Sequence, residues 1–245
     1  MLPGAGPVAR MTFQPDGDAP ARAGLRERKK ARRRGEIVRA AAELFMRKGY
    51  DATTLADIAH ETGVSPPTVA NYFGSKENIL SALIFEGTEA ARIRHLHAPR
   101  PTGCHFAEVM ATLLCEFTEN TMRVAGKRIW RYAEAASIRR HGSDFQSRFA
   151  RNDAALHRLI ATVLDDYDIV LRNGSPPDPG FLATIFFDRW TALYLAYIKD
   201  ESMSMETHAA QIRADVARLV GLLFDDGFAA SSPLKAPGGP PGRPA

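Results

Sequence analysis

Apolar side chains recur at three- and four-residue spacing along most of this chain, from about residue 26 to residue 224. This spacing places them on one face of an α-helix, and strand-like alternation between turns is missing from the sequence. Glycine and proline divide the pattern into predicted helices at about 26–48, 55–62, 66–72, 76–96, 104–124, 127–140, 144–170, 179–199 and 206–224. We therefore predict an all-α fold class.

The two ends of the chain differ from this helical stretch in composition. Residues 1–24 and 229–245 are rich in Pro, Gly and Ala and have no apolar period. Such segments bury too little apolar surface to fold, so we predict a disordered tail at each end. Met1 and Met11 are both candidate translation starts, because nothing before Met11 has a structured pattern.

Composition restricts the class of protein. Hydrophobic residues make up 45% of the chain and charged residues 24%, which is ordinary for a soluble globular protein. The two cysteines provide neither a disulfide framework nor a four-ligand zinc set. The sequence contains no secretory signal and no apolar run of the roughly 20 residues that cross a membrane. We therefore expect a cytoplasmic protein with no membrane partner, metal or cofactor.

Positive charge is concentrated near the N-terminus. The formal net charge of the chain is +4, yet Lys and Arg far outnumber Glu between Arg22 and Arg39, and the remainder is net acidic. A basic segment on such a body suggests a polyanionic partner, because Lys and Arg that neutralise phosphates release condensed counterions. The alternative is a solvated arm with no partner.

Residues 54–72 contain capping and turn residues typical of two short helices joined by a tight turn. Thr54 and Asp57 have the spacing of a capping box, which fixes where the first helix begins. Gly63 suits a left-handed helix end, and Ser65 is placed to cap the second helix. This arrangement predicts a helix-turn-helix whose second helix enters the major groove of DNA, the alternative being an ordinary helical hairpin.

The second of these helices has an unusual start. Pro66 and Pro67 lack N–H groups, so the Ser65 cap must act on the amide of Thr68, and neither proline can donate to DNA. Base reading then depends on Thr68, which can contact a base edge or a thymine methyl, and on Asn71, which can pair with adenine. Tyr72 suits a phosphate contact or a partly buried core position.

Three segments flanking and including this motif resemble the TetR family. They are Leu44-Phe45-x-x-x-Gly49-Tyr50, Thr53-Thr54-Leu-Ala-Asp-Ile-Ala-His-Glu-Thr-Gly-Val-Ser65 and Asn71-Tyr72-Phe73-Gly-Ser75-Lys76-Glu77. The resemblance covers about Glu36 to Leu80. It implies a homodimer with an N-terminal three-helix DNA-binding unit, a connecting fourth helix, and a variable helical C-terminal domain that often binds a small effector. It also implies repression of transcription.

The resemblance and the motif together set the expected domains and DNA contacts. We expect a three-helix helix-turn-helix DNA-binding domain at 25–75, with its recognition helix at about 66–72. A helical-bundle domain for effector binding and dimerisation follows at 76–228. The predicted DNA-binding residues are Thr53, Thr54, Ser65, Pro66, Pro67, Thr68, Asn71, Tyr72, Lys76, Arg32, Arg33 and Arg34. Lys76 lies near the start of a helix that points toward DNA in the family. The alternative for Lys76 is a solvated lysine.

The C-terminal half supplies candidates for two further surfaces. The last two predicted helices, 179–199 and 206–224, are rich in apolar residues, and the resemblance points to a homodimer interface built from them. A ligand pocket is predicted from Cys115, Phe117, Met122, Trp130, Tyr132, Phe187, Trp190 and Tyr194. For any one of these residues the alternative is simple core packing.

These observations favour a sequence-specific transcriptional regulator of double-stranded DNA with a palindromic operator, acting as a repressor that a small-molecule effector releases. The alternative is an architectural or effector-independent DNA-binding protein. An enzyme is a more distant alternative, because no nucleophile elbow, phosphate-binding glycine loop or paired His and carboxylate is recognisable.

Overall fold

The computed structural model describes residues 24–139 and 142–236. Helices in these ranges are α1 (Leu25–Lys48), α2 (Leu55–Glu61), α3 (Pro66–Phe73), α4 (Lys76–His97), α5 (Phe106–Val124), α6 (Lys127–Arg139), α7 (Asp144–Asp165), α8 (Pro179–Lys199), α9 (Met205–Leu223) and α10 (Asp226–Ser231). The described residues form no strand, only isolated backbone bridges. The predicted all-α class is confirmed. The predicted N-terminal tail, apart from Gly24, lies outside the described residues.

The first three helices pack into one small core. Helix α1 contributes Ile37 and Phe45, α2 contributes Ile58, and α3 contributes Val69, and each of these side chains is fully buried. Burying one such side chain is worth about 1.5–3 kcal/mol relative to exposure. The apolar period of α1 therefore orients the two short helices, which are too short to be stable alone.

Helix α4 joins this core to the rest of the protein. Its first half packs against α1 and α3, and its second half packs against α5 and α7. Gly87 lies where α4 meets the end of α5, and a Cβ there would be 2.8 Å from Val124 Cγ2. Because α4 contributes to both cores, the predicted boundary at 75/76 marks a change of packing partners along a connected structure.

Helices α5 to α9 form a bundle in which α5 packs against α9 and α7 packs against α8. Phe106, Phe186 and Phe224 are completely buried at one end of this bundle, and their rings contact one another in a chain. Within the described residues no helix is both long enough and apolar enough to span a bilayer.

The C-terminal segment differs from the sequence-based expectation. A disordered tail was expected from residue 229, but α10 extends to Ser231, and the Ser232 hydroxyl donates to the carbonyl of Cys104 at 2.8 Å. Leu234 forms a backbone bridge with Tyr167. The sequence did not predict an ordered segment here, because its composition is rich in Pro and Gly. Only a few apolar residues hold the segment in place. The rest of the expected tail, 237–245, lies outside the described residues.

Helix α7 is shorter than predicted. It ends at Asp165, whereas the apolar spacing suggested a helix to about 170. Tyr167 and Ile169 continue the helical spacing, yet both are buried in an extended segment that pairs with the chain around Phe224 and Leu234. Periodicity alone could not distinguish these two arrangements.

Candidate nucleic-acid interface and ligand cavity

Helix α2 begins at the predicted capping box. Thr54 Oγ1 accepts from the Asp57 amide at 3.1 Å, and Asp57 Oδ2 accepts from the Thr54 amide at 2.9 Å. This backbone hydrogen bond, with help from Lys48, lowers the pKa of Asp57 to about 2. Gly63 follows α2 with φ +63, the left-handed conformation expected there. The cap residues thus fix the turn that positions α3, and the Thr54 hydroxyl is used within it.

Helix α3 presents a polar outer face. Ser65 Oγ accepts from the Thr68 amide at 3.4 Å, and Pro66 and Pro67 occupy the first turn as predicted. Ser65, both prolines and Asn71 are exposed, and Thr68 is half-buried. The Asn71 amide makes no hydrogen bond to any residue that the structure describes. It is therefore available to a partner.

Tyr72 lies between the two roles expected of it. Its ring is half-buried and packs against the hydrophobic core. Tyr72 and Asn71 nevertheless line an open concave surface together with the start of α1. This surface, here called the basic groove, is lined by Arg26, Glu27, Lys29, Lys30, Arg32, Arg33, Asn71 and Tyr72.

The three predicted arginines of α1 differ in their surroundings. Arg32 is well exposed, 3.8 Å from Glu36. Arg33 pairs with Glu36 at 2.9 Å and extends toward the Thr62 carbonyl at 3.5 Å. Arg34 donates twice to Glu86, at 2.5 and 2.6 Å, and Glu86 raises its pKa. Arg34 therefore joins α1 to α4 and does not line the basic groove, and its expected contact with DNA stays a prediction.

Two other predicted DNA contacts are used inside the protein. Thr53 is 1% exposed and its hydroxyl donates to the Gly49 carbonyl at 2.8 Å. Lys76 Nζ donates to the carbonyls of Tyr50, Asp51 and Thr53 at 2.6, 3.2 and 2.7 Å. These carbonyls match the three donors of an ammonium group, and burial lowers its pKa. Both side chains hold the turn between α1 and α2, so neither is free for phosphate.

An internal cavity of about 70 Å³ lies between α4, α5, α6, α7 and α8. Several of the predicted pocket residues line it: Phe117, Trp130, Phe187, Trp190 and Tyr194. The cavity is several times larger than the roughly 10–15 Å³ needed for one water, and smaller than the ~300–1,000 Å³ typical of sites for drug-sized ligands. It suits a compact molecule.

The other three predicted pocket residues lie elsewhere. The buried Cys115 thiol faces the Ala209 carbonyl of α9 at 3.9 Å, and Met122 packs against the edge of the core. Tyr132 stacks on Tyr50, with ring centroids 4.1 Å apart. These residues contribute to packing as their apolar character suggests. Their positions around the helices, however, place them against α9, the edge of the core and the domain formed by α1 to α3.

Sequence reasoning missed the polar residues of the cavity. Glu134 from α6 and Asp153 from α7 both line it. Burial, with a contribution from Asp153, raises the pKa of Glu134 to about 7, and burial raises the pKa of Asp153 to about 6. The Tyr194 hydroxyl and Thr191 Oγ1 are buried and have no hydrogen-bond partner within 24–139 and 142–236. No motif marked these residues, because each lies alone on a different helix.

The acidic pairs near residues 165 and 225 serve the fold. Arg100 Nε donates to Asp166 Oδ2 at 2.7 Å, and Lys235 Nζ lies 2.6 Å from Asp165 Oδ1. Asp225 caps α10 through the amides of Gly227 and Phe228. Across 24–139 and 142–236, no three His, Cys, Asp or Glu side chains are grouped closely enough to hold a metal ion.

A capped turn between α2 and α3, an exposed α3 and a helical bundle behind them define a helix-turn-helix protein. Residues 37–83 match the family described as bacterial regulatory proteins, tetR family. This match contains the helix-turn-helix and shows what the N-terminal domain of the chain is similar to. The resemblance noted in the sequence is confirmed.

Curated relatives match the chain over part of its length. The chain is 33% identical over 88 residues to the HTH-type transcriptional repressor BdcR of Escherichia coli (strain K12), and the match covers 35% of this chain and 45% of BdcR. The chain therefore spans less than half the length of that relative.

Solved structures resemble the chain over most of its length. The TetR transcriptional regulator from Nitrosomonas europaea ATCC 19718 has a TM-score of 0.58 at 14% identity, covering 77% of this chain and 98% of that one. The transcriptional regulator FadR from Bacillus subtilis, in complex with stearoyl-CoA, has a TM-score of 0.53 at 15% identity, covering 74% and 96%. These likenesses establish a shared fold in both domains.

Proposed function

We propose that this protein is a sequence-specific DNA-binding transcriptional repressor that a small-molecule effector releases from its operator. The observation that carries the proposal is the joint placement of Asn71 and the cations of the basic groove. An exposed amide on α3 can read a base edge while Lys29 and Lys30 contact phosphates on either side. The similarity to BdcR, a transcriptional repressor, supports the regulatory part.

A homodimer follows from the same proposal. Phe181 on α8 and Leu222 on α9 are 64% and 73% exposed. The two side chains line the same open surface, and such a surface suits a self-complementary interface between copies of this chain. Such a dimer presents two copies of α3 to a palindromic operator.

The effector part rests on the cavity between α4 and α8. A FadR structure with stearoyl-CoA shows that a protein of this fold accommodates a ligand. The cavity in this chain is lined by rings and by unpaired polar groups, a composition typical of small-molecule sites.

Selection of bound fragments from a random DNA pool, with purified full-length protein, tests the proposal. We expect an enriched palindrome whose half-sites are about 34–36 Å apart or a multiple of that distance. Enrichment without sequence preference would instead favour an architectural DNA-binding protein. Transcription from a promoter containing the selected site, with and without the protein, then tests repression.

A further inference from the structure

The cavity has an aromatic wall on several sides. Trp190 stacks on Tyr194 with ring centroids 5.2 Å apart, and Trp130 meets Tyr194 edge-on at 6.3 Å. Phe117 and Phe187 each contact Trp190, at 5.8 and 5.9 Å. Aromatic faces carry negative potential and attract cations, most strongly where water is excluded.

Two carboxylates open onto the same space without a cationic partner. Glu134 and Asp153 are half-buried, and neither lies within 4 Å of a Lys, Arg or His nitrogen in the part of the chain that the structure describes. The pKa of each is raised mainly by burial. The charge of Lys199 on α8 lowers the pKa of Glu134, but by less than burial and Asp153 raise it. Buried carboxylates are normally paired, because desolvation of an unpaired charge is costly.

The positive groups that border the cavity pair with other carboxylates. Arg92 from α4 pairs with Glu89 at 3.5 Å. His95, also from α4, lies 3.3 Å from Glu116, and burial lowers the pKa of its imidazole. The cavity therefore keeps a negative side formed by α6 and α7.

Two buried hydroxyls belong to residues that line the cavity. Tyr194 is 4% exposed, and neither its hydroxyl nor Thr191 Oγ1 has a hydrogen-bond partner among the described residues. A buried hydroxyl without a partner is destabilising. A ligand N–H group beside Glu134 and Asp153 can donate to these oxygens.

We infer that the cavity binds a compact organic cation, a protonated amine whose ammonium group faces Glu134 and Asp153 and whose apolar part contacts the tryptophan and tyrosine rings. This inference rests on the proposed effector role of the cavity and adds the chemical class of the ligand. The cavity of about 70 Å³ restricts the ligand to a small amine unless side chains move.

Tryptophan fluorescence of the full-length protein tests this inference directly, because the chain has two tryptophans and both line the cavity. The probes are benzylammonium, benzyl alcohol and benzoate, which share shape and differ in charge. At pH 8 we expect saturable binding of benzylammonium at least ~10-fold tighter than benzyl alcohol, with benzoate weakest. Equal binding of the three probes, or a preference for benzoate, would overturn the inference.

Variants identify the carboxylates responsible. Glu134→Gln and Asp153→Asn should each weaken benzylammonium binding by about 10-fold, the effect of losing roughly 1.4 kcal/mol of charge interaction. They should leave benzyl alcohol binding unchanged. Glu206→Gln, at an exposed site of α9, is the matched control. Thermal unfolding followed by circular dichroism verifies folding, and unchanged benzylammonium binding in both folded acid variants contradicts the inference.

The pH dependence adds a second readout. A bound cation favours the ionised acids, whose pKa values in the free protein are about 7 for Glu134 and about 6 for Asp153. Affinity for benzylammonium should therefore rise from pH 5.5 to pH 8 and become flatter in the double variant. A pH-independent affinity of the native protein would count against the two acids.

DNA binding to the selected operator is measured separately. Intact operator binding together with no benzylammonium binding would reject the cationic ligand and leave the DNA-binding proposal standing. Benzylammonium binding that leaves operator affinity unchanged would support the ligand class and reject the effector role. The two proposals therefore fail in distinguishable ways.

Discussion

In the proposed function, base reading depends most on Asn71. It is exposed on α3, and the prolines before it remove two donors from the first turn of that helix. Thr68 already shares its hydroxyl with Ser65 at 2.9 Å, so a base contact would compete with this internal hydrogen bond. The side-chain amide of Asn71 has no such competitor among the described residues.

Replacement Asn71→Ala should reduce specificity at one base pair of each half-site. The loss of a two-pronged amide contact corresponds to about 1–3 kcal/mol of discrimination. Binding titrations against operators changed at single positions measure it. Asn173→Ala, at an exposed site distant from α3, is the control. An equal loss of affinity for every DNA sequence would exclude base reading by Asn71.

For single residues, some roles could be predicted from the sequence and others could not. Thr54, Asp57 and Ser65 were predictable as caps because capping depends on local sequence spacing. Thr53 and Lys76 were not, because their roles depend on carbonyls of the turn between α1 and α2. The orientation of a side chain at a helix end is set by tertiary packing, which spacing does not record.

At the scale of elements, the N-terminal part of α1 is a cationic strip beside α3. Lys29 and Lys30 are exposed and, within the described residues, form no ion pair, whereas Arg34 is held by Glu86. The basic segment therefore has two different environments along one helix. Its first turns face the groove, and its middle joins the first domain to α4.

Neutralising Lys29 and Lys30 with glutamine should weaken DNA binding for all sequences alike. Each lost phosphate contact lowers the slope of log affinity against log salt by about 0.9. The expected change is up to about 1.8 per protomer, measured by titrations at several salt concentrations. Arg151→Gln with Arg158→Gln, at exposed positions of α7, is the matched control. A slope equal to that of the native protein would contradict the groove assignment.

The elements were predictable to different degrees. Helices α5, α6, α8 and α9 end within two residues of the sequence-based bounds, because amphipathic periods and caps are local. Helix α10 was missed, since it depends on Phe228 packing against Phe106 at 4.9 Å. The carboxylates of the cavity were also missed, because α6 and α7 bring Glu134 and Asp153 together only after folding.

At the scale of the whole molecule, α6 connects the two candidate sites. Trp130 and Glu134 face the cavity, while Tyr132 on the same helix stacks on Tyr50 at 4.1 Å. The ammonium group of Lys76 lies over the Tyr50 ring, 4.3 Å from its centroid. A ligand that shifts α6 would therefore displace the turn that precedes the helix-turn-helix.

Replacement Tyr132→Ala should uncouple the two sites while preserving each. Coupling free energies between sites are typically 1–3 kcal/mol, or about 5–150-fold in affinity. In the native protein benzylammonium should lower operator affinity, and in this variant the decrease should shrink toward onefold. Tyr132→Phe, which keeps the stacked ring, should behave like the native protein. The measurement is operator affinity at saturating benzylammonium, and an undiminished effect in Tyr132→Ala would exclude this route.

The short C-terminal helix α10 affects where this protein can be truncated or tagged. Phe228 and Ser232 pack over the end of the bundle beside Phe106, so the chain around them covers that end of the core. Truncating the chain after α9 would remove these residues and expose aromatic surface. An affinity tag is better fused beyond residue 236, where it leaves both this closure and the cationic start of α1 untouched.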